Sequence, residues 1–177
     1  MIVFVDFEAS SLSKQSFPIE VGWIFEDERS FSFLIRPAPD WTDWSHEAEA
    51  IHGISREKLR RDGASVETVA RTMVEMLSGH ELFASAPSWD GKWLSVLLRA
   101  AGFPRHALRL RKSQEAFLEA AREILGDTQT EGQIARLVED VVLRNEPAVP
   151  AHRALPDATL ELRHLLKVRA ISAEIAS

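Results

Sequence analysis

Two acidic residues, Asp6 and Glu8, stand close together at the end of an apolar N-terminal run, in the order Val5, Asp6, Phe7, Glu8. On a β-strand successive side chains point to opposite faces, so Asp6 and Glu8 would share one face while Val5 and Phe7 pack into the core. Two unpaired carboxylates there are unfavourable unless protons or a cation compensate them. The pair therefore favours a site for Mg²⁺ or Mn²⁺, which prefer oxygen ligands. The alternative is a pair that faces solvent at a strand end.

A third acidic candidate, Asp90, lies mid-chain beside Trp89, after a predicted short strand and at the mouth of a predicted helix. Trp89 would serve as an apolar anchor that fixes the turn. The alternative is an N-cap aspartate, because helix starts favour that residue type.

A histidine and an aspartate form the last candidate group, His152 and Asp157. Pro156 suits the first turn of a helix, and Asp157 would there be stabilised by the positive end of the helix dipole. His152 falls in the preceding loop, where an imidazole beside a metal-bound carboxylate can accept a proton from water near neutral pH. A lone histidine is otherwise usually a surface or core residue.

The N-terminal third of the chain must position the first pair. Its apolar runs predict three β-strands at 2–5, 19–25 and 31–35, and residues 27–29 predict a hairpin between the last two. Pro37 and Pro39 then open a loop that holds Trp41 and Trp44.

Later segments alternate between helix and strand. Helical periodicity predicts a helix over 66–77, and a short fourth strand over 82–84 precedes a turn at 85–89 and a helix at 92–101. A fifth strand is predicted at 108–111, followed by helices at 114–125, at 131–143 and from 155 to about 170. The order predicts one α/β domain, residues 1–177, with its first three strands antiparallel and its later strands joined through helical crossovers.

The composition excludes several classes of protein. The chain has 177 residues, no cysteine and a net charge of −6, so thiolate metal sites, disulfides and a cysteine nucleophile are excluded. The acidic balance argues against a non-specific nucleic-acid coat, although local basic stretches such as 99–112 could guide a strand. No basic leader and no run of about 20 apolar residues is present, which predicts a cytoplasmic protein without membrane contact.

The combined pattern is more specific than its parts. Asp-x-Glu near the N-terminus, a mid-chain Asp and a C-terminal His-x-x-x-x-Asp together resemble the DEDDh exonuclease family, which includes the polymerase proofreading subunit, RNase T and oligoribonuclease. The resemblance spans residues 3–158. The segments 19–22 (Ile-Glu-Val-Gly) and 51–54 (Ile-His-Gly-Ile) are similar to further family motifs. It implies an RNase H-like fold with a mixed five-stranded sheet flanked by helices, two Mg²⁺ or Mn²⁺ ions, and release of 5′-mononucleotides from single-stranded 3′ ends.

The resemblance also implies roles for individual residues. Asp6, Glu8 and Asp157 would bind the first metal, Asp6 would also bind the second, and Asp90 would act directly or through water. His152 would be the general base of a two-metal mechanism, in which paired ions stabilise the entering and leaving oxygens. The candidate substrate-binding residues are Phe7 through its backbone, Ser10, Leu12, His52 and Trp89. Contacts that tolerate any base are expected, and therefore no sequence-specific recognition.

Two segments depart from the family pattern. Where members often have Asp-x-Glu-Thr-Thr-Gly-Leu, this chain has Ala9, Ser10, Ser11 and Leu12 after Glu8, so a glycine and a hydroxyl are missing. The family's His-Asn-x-x-Phe-Asp is replaced by residues 85–90, which lack the amide and include Pro87. These changes leave the choice between RNA and DNA open.

Two rival functions follow from these departures. One is a nucleic-acid-binding module of the same fold that cuts poorly, and the other is a non-enzymatic interaction protein with solvated carboxylates. Some family members are homodimers and others are polymerase-associated subunits, and both arrangements stay open here.

Overall fold

A mixed five-stranded sheet forms the centre of the protein, whose computed structural model describes residues 1–149 and 151–177. The strand order is β3-β2-β1-β4-β5, with β1 antiparallel to β2, β2 antiparallel to β3, and β4 and β5 parallel to β1. This arrangement confirms the predicted sheet. The strands are β1 (Ile2–Ala9), β2 (Pro18–Phe25), β3 (Ser30–Leu34), β4 (Glu81–Ala84) and β5 (Leu110–Lys112).

Helices cover both faces of the sheet. In chain order they are α1 (His46–His52), α2 (Arg56–Asp62), α3 (Val66–Leu77), α4 (Pro87–Ala100), α5 (Ser113–Leu125), α6 (Glu131–Asn145) and α7 (Ala154–Ala176), with a short 3-10 helix at Gly126–Thr128. Within the described ranges, none of these helices is long and apolar enough to span a membrane.

The alternation of β1 assigns its residues to two separate cores. Val3, Val5 and Phe7 pack with α3 and α4 on one face. Phe4 packs with α5, α6 and α7 on the other face. Because side chains alternate along a strand, Asp6 and Glu8 continue the row of Phe4 and face α7. The prediction that Val5 and Phe7 are core residues is confirmed, since both are buried.

Two helices were not predicted from the sequence. The segment 46–62 holds α1 and α2, each of seven residues, where only a loop and a turn were expected. The hydroxyls of Ser45 and Ser55 cap their first turns by accepting hydrogen bonds from the N–H groups of Ala48 and Lys58. Helices of two turns are too short to show a clear hydrophobic period, and their capping serines were the available signal.

Helix boundaries also differ from the prediction. Helix α4 begins at Pro87 rather than near residue 92, so Asp90 lies inside its first turn and the residue that precedes the helix is Ala86. The N-cap interpretation of Asp90 is therefore wrong. Pro87 occupies the first helical position, where its missing N–H has no partner to lose. Helix α7 continues to Ala176, well beyond the predicted end near residue 170.

Candidate metal centre

The start of α7 lies directly against β2. A Cβ atom placed on Gly22 would lie 2.4 Å from the backbone N of Leu155, so no other residue type fits at this crossing without a shift. Gly22 is paired with Asp6 in the β1–β2 register. The first turn of α7 is therefore held over the strand position that carries Asp6.

An ion pair between the buried Glu20 and the half-exposed Arg153 fixes the same helix start. Glu20 is 2% exposed and accepts two hydrogen bonds from the Nε atom of Arg153, at 2.9 and 3.2 Å, and one from its terminal nitrogen at 2.5 Å. It also accepts a hydrogen bond of 3.1 Å from the backbone N–H of Ala154. Arg153 precedes α7 and makes no cap with its own side chain. Glu20 thus satisfies a free N–H of the first turn from a neighbouring strand.

Three carboxylates converge as a consequence. Ligand oxygens of Asp6, Glu8 and Asp157 all lie within 4.8 Å of one another, and all three residues are partly buried. Asp6 and Glu8 come from β1, and Asp157 comes from the first turn of α7. In the described ranges, no lysine, arginine or histidine forms an ion pair with any of them.

Asp90 reaches the same region from the other side of β1. Strand β4 pairs with β1 only from Ile2 to Phe4, so the edge of β1 beyond Phe4 is open to α4. Asp90 is 2% exposed, and its carboxylate lies close to the backbone N–H of Phe7. Its Oδ2 atom is buried with no hydrogen-bond partner among the described residues. A buried carboxylate oxygen without a partner is unfavourable unless a cation or a proton binds there.

Burial and mutual repulsion raise the pKa values of this cluster. Burial, followed by the charges of Asp90, Glu8 and Asp157, raises the pKa of Asp6 well above its usual value. Burial and the charge of Asp157 raise the pKa of Glu8 to about 7. Burial also raises the pKa of Asp90 to about 7, although the nearby N–H of Phe7 opposes the shift. The pKa of Asp157 is raised by burial as well.

A fifth carboxylate, Glu161, was not predicted from the sequence. It lies one helical turn after Asp157 on α7, and its charge raises the pKa values of Asp6, Asp90 and Asp157. The spacing of four residues within one helix was the available signal, because such residues share a face.

His152 lies at the rim of the cluster. It is exposed, adopts a φ of +50°, and lowers the pKa of Asp157 through its charge. A positive φ is uncommon for a residue with a Cβ atom. Together with Glu8 it lines a pocket of about 230 Å³.

The walls of this pocket are largely apolar. Leu12 and Ile51 are 71% and 59% exposed, and with Trp93 and His52 they line the space beside Glu8. The loop that carries Leu12 is held in place, because Asp43 accepts hydrogen bonds from the hydroxyls of Ser10, Ser11 and Ser13. An exposed leucine on a fixed loop is therefore presented to the pocket.

His52 is held in one tautomer. Its Nδ1 atom accepts a hydrogen bond of 3.0 Å from the N–H of Ile54, and burial lowers its pKa. The neutral ring then carries its proton on Nε2, which is buried and has no hydrogen-bond partner in the part of the chain that the structure describes.

The other predicted substrate-binding residues are placed differently. Ser10 is fully buried, and its hydroxyl donates to Asp43 and accepts from the N–H of Phe17. Its contact with substrate stays a prediction. The side chain of Phe7 is in the core, and its backbone N–H is near Asp90. Trp89 is 37% exposed and stacks on Trp93, outside the residues that line the pocket.

The donor set fits hard divalent cations. All of its ligand atoms are carboxylate oxygens, the ligands that Mg²⁺ and Mn²⁺ prefer. A divalent cation would give the unpartnered Oδ2 of Asp90 a ligand and would offset the burial and repulsion that raise the pKa values of Asp6 and Glu8. The arrangement can bind metal and can place an imidazole beside it.

Comparison with solved structures assigns the fold. Escherichia coli exonuclease I in complex with a dA16 oligonucleotide matches with a TM-score of 0.67 at 15% identity, over 98% of this chain and 42% of that chain. Exonuclease I from Methylocaldum szegediense matches with a TM-score of 0.67 at 17% identity, over 95% and 40%. The zinc-bound form of the E. coli exonuclease I–ssDNA complex gives a TM-score of 0.66 at 15% identity, over 95% and 40%.

These matches cover about two fifths of each exonuclease I chain. No protein-family model matches the sequence, and no curated protein sequence matches it. At such low identity the likeness establishes the architecture alone. The chain has the RNase H-like α/β fold found in exonuclease I.

Proposed function

We propose that this chain is a metal-dependent 3′→5′ exonuclease that hydrolyses the terminal phosphodiester of single-stranded RNA or DNA and releases 5′-mononucleotides. The observation that carries the proposal is the convergence of Asp6, Glu8 and Asp157 within 4.8 Å, with no cationic side chain paired to them in the described residues. Such a site favours an external divalent cation, and the RNase H-like fold of the solved relatives surrounds it.

Two Mg²⁺ or Mn²⁺ ions are the proposed cofactors. Asp6, Glu8 and Asp157 would hold the first ion, Asp6 would share the second, and Asp90 would act directly or through water. Bound there, the ions would supply Lewis-acid stabilisation of the charge that develops on the phosphate oxygens. The raised pKa values of Asp6 and Glu8 support this assignment, because a cation favours the charged form that burial disfavours.

His152 is the proposed general base. It is exposed at the rim of the pocket that also contains Glu8, so its imidazole can reach a water molecule beside a phosphate held at the carboxylates. Proton transfer by a positioned histidine typically contributes about 10²–10⁴-fold to a rate.

The apolar pocket is the proposed site for the terminal base. Leu12, Ile51 and Trp93 offer it an apolar surface next to Glu8. Contacts of this kind bind any base, since every base has an apolar face. Two solved relatives are complexes of exonuclease I with dA16 and dT13 oligonucleotides, which supports a single strand as the substrate class.

The test is a cleavage assay with 5′-labelled single-stranded DNA and RNA of matched sequence, with Mn²⁺ or Mg²⁺. Wild type should produce a ladder that shortens from the 3′ end, and Asp6→Ala should abolish it. His152→Ala should lower kcat by about 100-fold or more while Mn²⁺ binding persists.

The rivals predict different results in the same assay. If wild type and Asp6→Ala release mononucleotide at the same slow rate but bind the strand, the chain is a nucleic-acid-binding module. If neither protein binds the strand, the interaction-protein hypothesis replaces the exonuclease proposal. A near-normal rate for His152→Ala would remove this histidine from the mechanism.

A further inference from the structure

A second cleft lies along α4, on the flank opposite the apolar pocket. It encloses about 450 Å³ between α4 and the segment that leads into β5, and its lining includes Gly91 and Ser95. Residues on an α-helix are about 100° apart, so these two residues point away from the side that carries Trp89 and Trp93. We call this cleft the α4 groove.

The rim of the α4 groove carries positive charge. Arg105, His106 and Arg109 line it and are exposed. The Nε atom of Arg105 donates a hydrogen bond of 2.7 Å to His106, which orients the guanidinium group. Among residues 1–149 and 151–177, no acidic side chain forms an ion pair with Arg105 or Arg109.

The neighbouring Arg111 shows the contrast. It forms ion pairs with Glu81, Glu115 and Glu119, so its charge is already compensated within the protein. The chain as a whole carries a net charge of −6, whereas the two unpaired guanidinium groups make this cleft locally cationic. Such a groove attracts anions, and guanidinium groups bind phosphate well.

The α4 groove begins beside the fourth carboxylate of the candidate metal centre. Gly91 follows Asp90 directly, and residues 91–95 extend for about 6 Å along the axis of α4. Gly91 has no side chain, and a Cβ atom there would meet nothing within 4 Å, so the groove is open at this end. The groove therefore starts one residue from Asp90 and leads to Arg105 and Arg109.

We propose that the α4 groove binds the sugar-phosphate backbone of the single strand on the 5′ side of the nucleotide being removed. This inference rests on the proposed function. Arg105 and Arg109 contact phosphates, so the groove holds strands of several nucleotides irrespective of sequence and does not contribute to a dinucleotide. It gives the enzyme a preference for longer strands through KM rather than through kcat.

The experiment compares Arg105→Gln/Arg109→Gln with Arg60→Gln/Arg71→Gln. The control removes two exposed arginines that, within the described residues, are likewise without an ion pair, so net charge changes equally. Substrates are a 12-nucleotide strand and a dinucleotide of the same base. For the groove variant, KM for the 12-mer should rise about tenfold with kcat unchanged, and both constants for the dinucleotide should stay unchanged. The control should change each constant less than about twofold.

Binding is measured separately from cleavage, by fluorescence anisotropy of a phosphorothioate 12-mer. The slope of log Kd against log salt should fall by about 1.4 in the groove variant, since each phosphate contact on a single strand contributes about 0.7. If wild type binds the 12-mer through Arg105 and Arg109 but cleaves nothing, the exonuclease proposal fails, while binding of the sugar-phosphate backbone by the α4 groove stands.

Other results would overturn the groove assignment. One is unchanged KM and anisotropy for the 12-mer in Arg105→Gln/Arg109→Gln. A second is an equal rise in KM for the dinucleotide. A third is displacement of the 12-mer by an octa-aspartate peptide at equal concentration, which would identify a site for acidic peptides instead.

Discussion

Neighbouring acidic residues on β1, β2 and α7 differ in whether the chain supplies them with an ion pair. Glu20, opposite Glu8 in the β1–β2 register, is bound by the guanidinium of Arg153 and by the N–H of Ala154. Asp6, Glu8 and Asp157, which lie close by, form no ion pair with a cationic side chain within the described residues. The paired acid holds a helix in place, whereas the unpaired acids form a site that requires a cation from outside.

The two groups are linked through α7. The ion pair of Glu20 and Arg153 sets the start of this helix, and Asp157 in its first turn completes the cluster. A structural acid therefore positions a candidate metal ligand. Substitutions that act on one group or on both can test this division.

The largest effect is expected for Gly22→Ala, which disturbs both groups together. The added Cβ would lie 2.4 Å from the N of Leu155, so α7 must move away from β2. We expect a loss of about 3 kcal/mol in the free energy of unfolding, measured with urea, and weaker Mn²⁺ binding. Gly132→Ala is the control because its Cβ has open space, and it should change stability by less than about 1 kcal/mol. Equal stability of the two variants would contradict the close approach of α7.

The next largest effect is a change in the free energy of unfolding with pH, which should come from the unpaired carboxylates. The pKa values of Glu8 and Asp90 are raised to about 7, so the folded protein binds more protons than the unfolded chain between about pH 4 and pH 7. The free energy of unfolding of the metal-free protein should therefore fall as pH rises through that window, on the order of 3 kcal/mol.

Urea titrations in EDTA at pH 5 and pH 8 measure this change. Saturating Mg²⁺ should restore about 2–3 kcal/mol at pH 8, because the cation binds the folded state. A metal-free protein that is more stable at pH 8 than at pH 5 would show that these carboxylates are not repelling one another.

The smallest effects are expected from single amide substitutions, and they should have opposite signs. Glu20→Gln weakens the bonds to Arg153 and should destabilise the metal-free protein by about 2 kcal/mol, since Arg153 is half-exposed and regains water. Asp6→Asn removes a repelled charge and should stabilise the same metal-free protein by about 1 kcal/mol. Destabilisation by both, measured by urea unfolding in EDTA, would remove the distinction between paired and unpaired acids.

Much of the fold was predictable because its elements have strong local signals. The strands at 19–25 and 31–35 and the helix at 66–77 were predicted close to their observed bounds. The alternation of Val5, Asp6, Phe7 and Glu8 predicted that Asp6 and Glu8 lie on the same face of β1. These features depend on period and on short-range geometry, which a single sequence contains.

The remainder depends on contacts between distant segments. The sequence contains Glu20, Gly22 and Arg153, but no local pattern shows that they join the start of α7 to β2. The hydroxyl of the buried Ser10 likewise donates a hydrogen bond to Asp43, 33 residues away. The resemblance pointed to 19–22 as a motif, and the structure supplies its physical reason, which is the placement of Asp157.

The most direct measurement is a Mn²⁺ titration near pH 7.5, with free Mn²⁺ followed by electron paramagnetic resonance, on wild type and Asp157→Asn. A cation-binding cluster predicts saturable uptake of about two ions by wild type and a large loss of affinity in the variant. Uptake by wild type that is no greater than by Asp157→Asn, or that never saturates, would contradict the claim that these carboxylates form a metal centre.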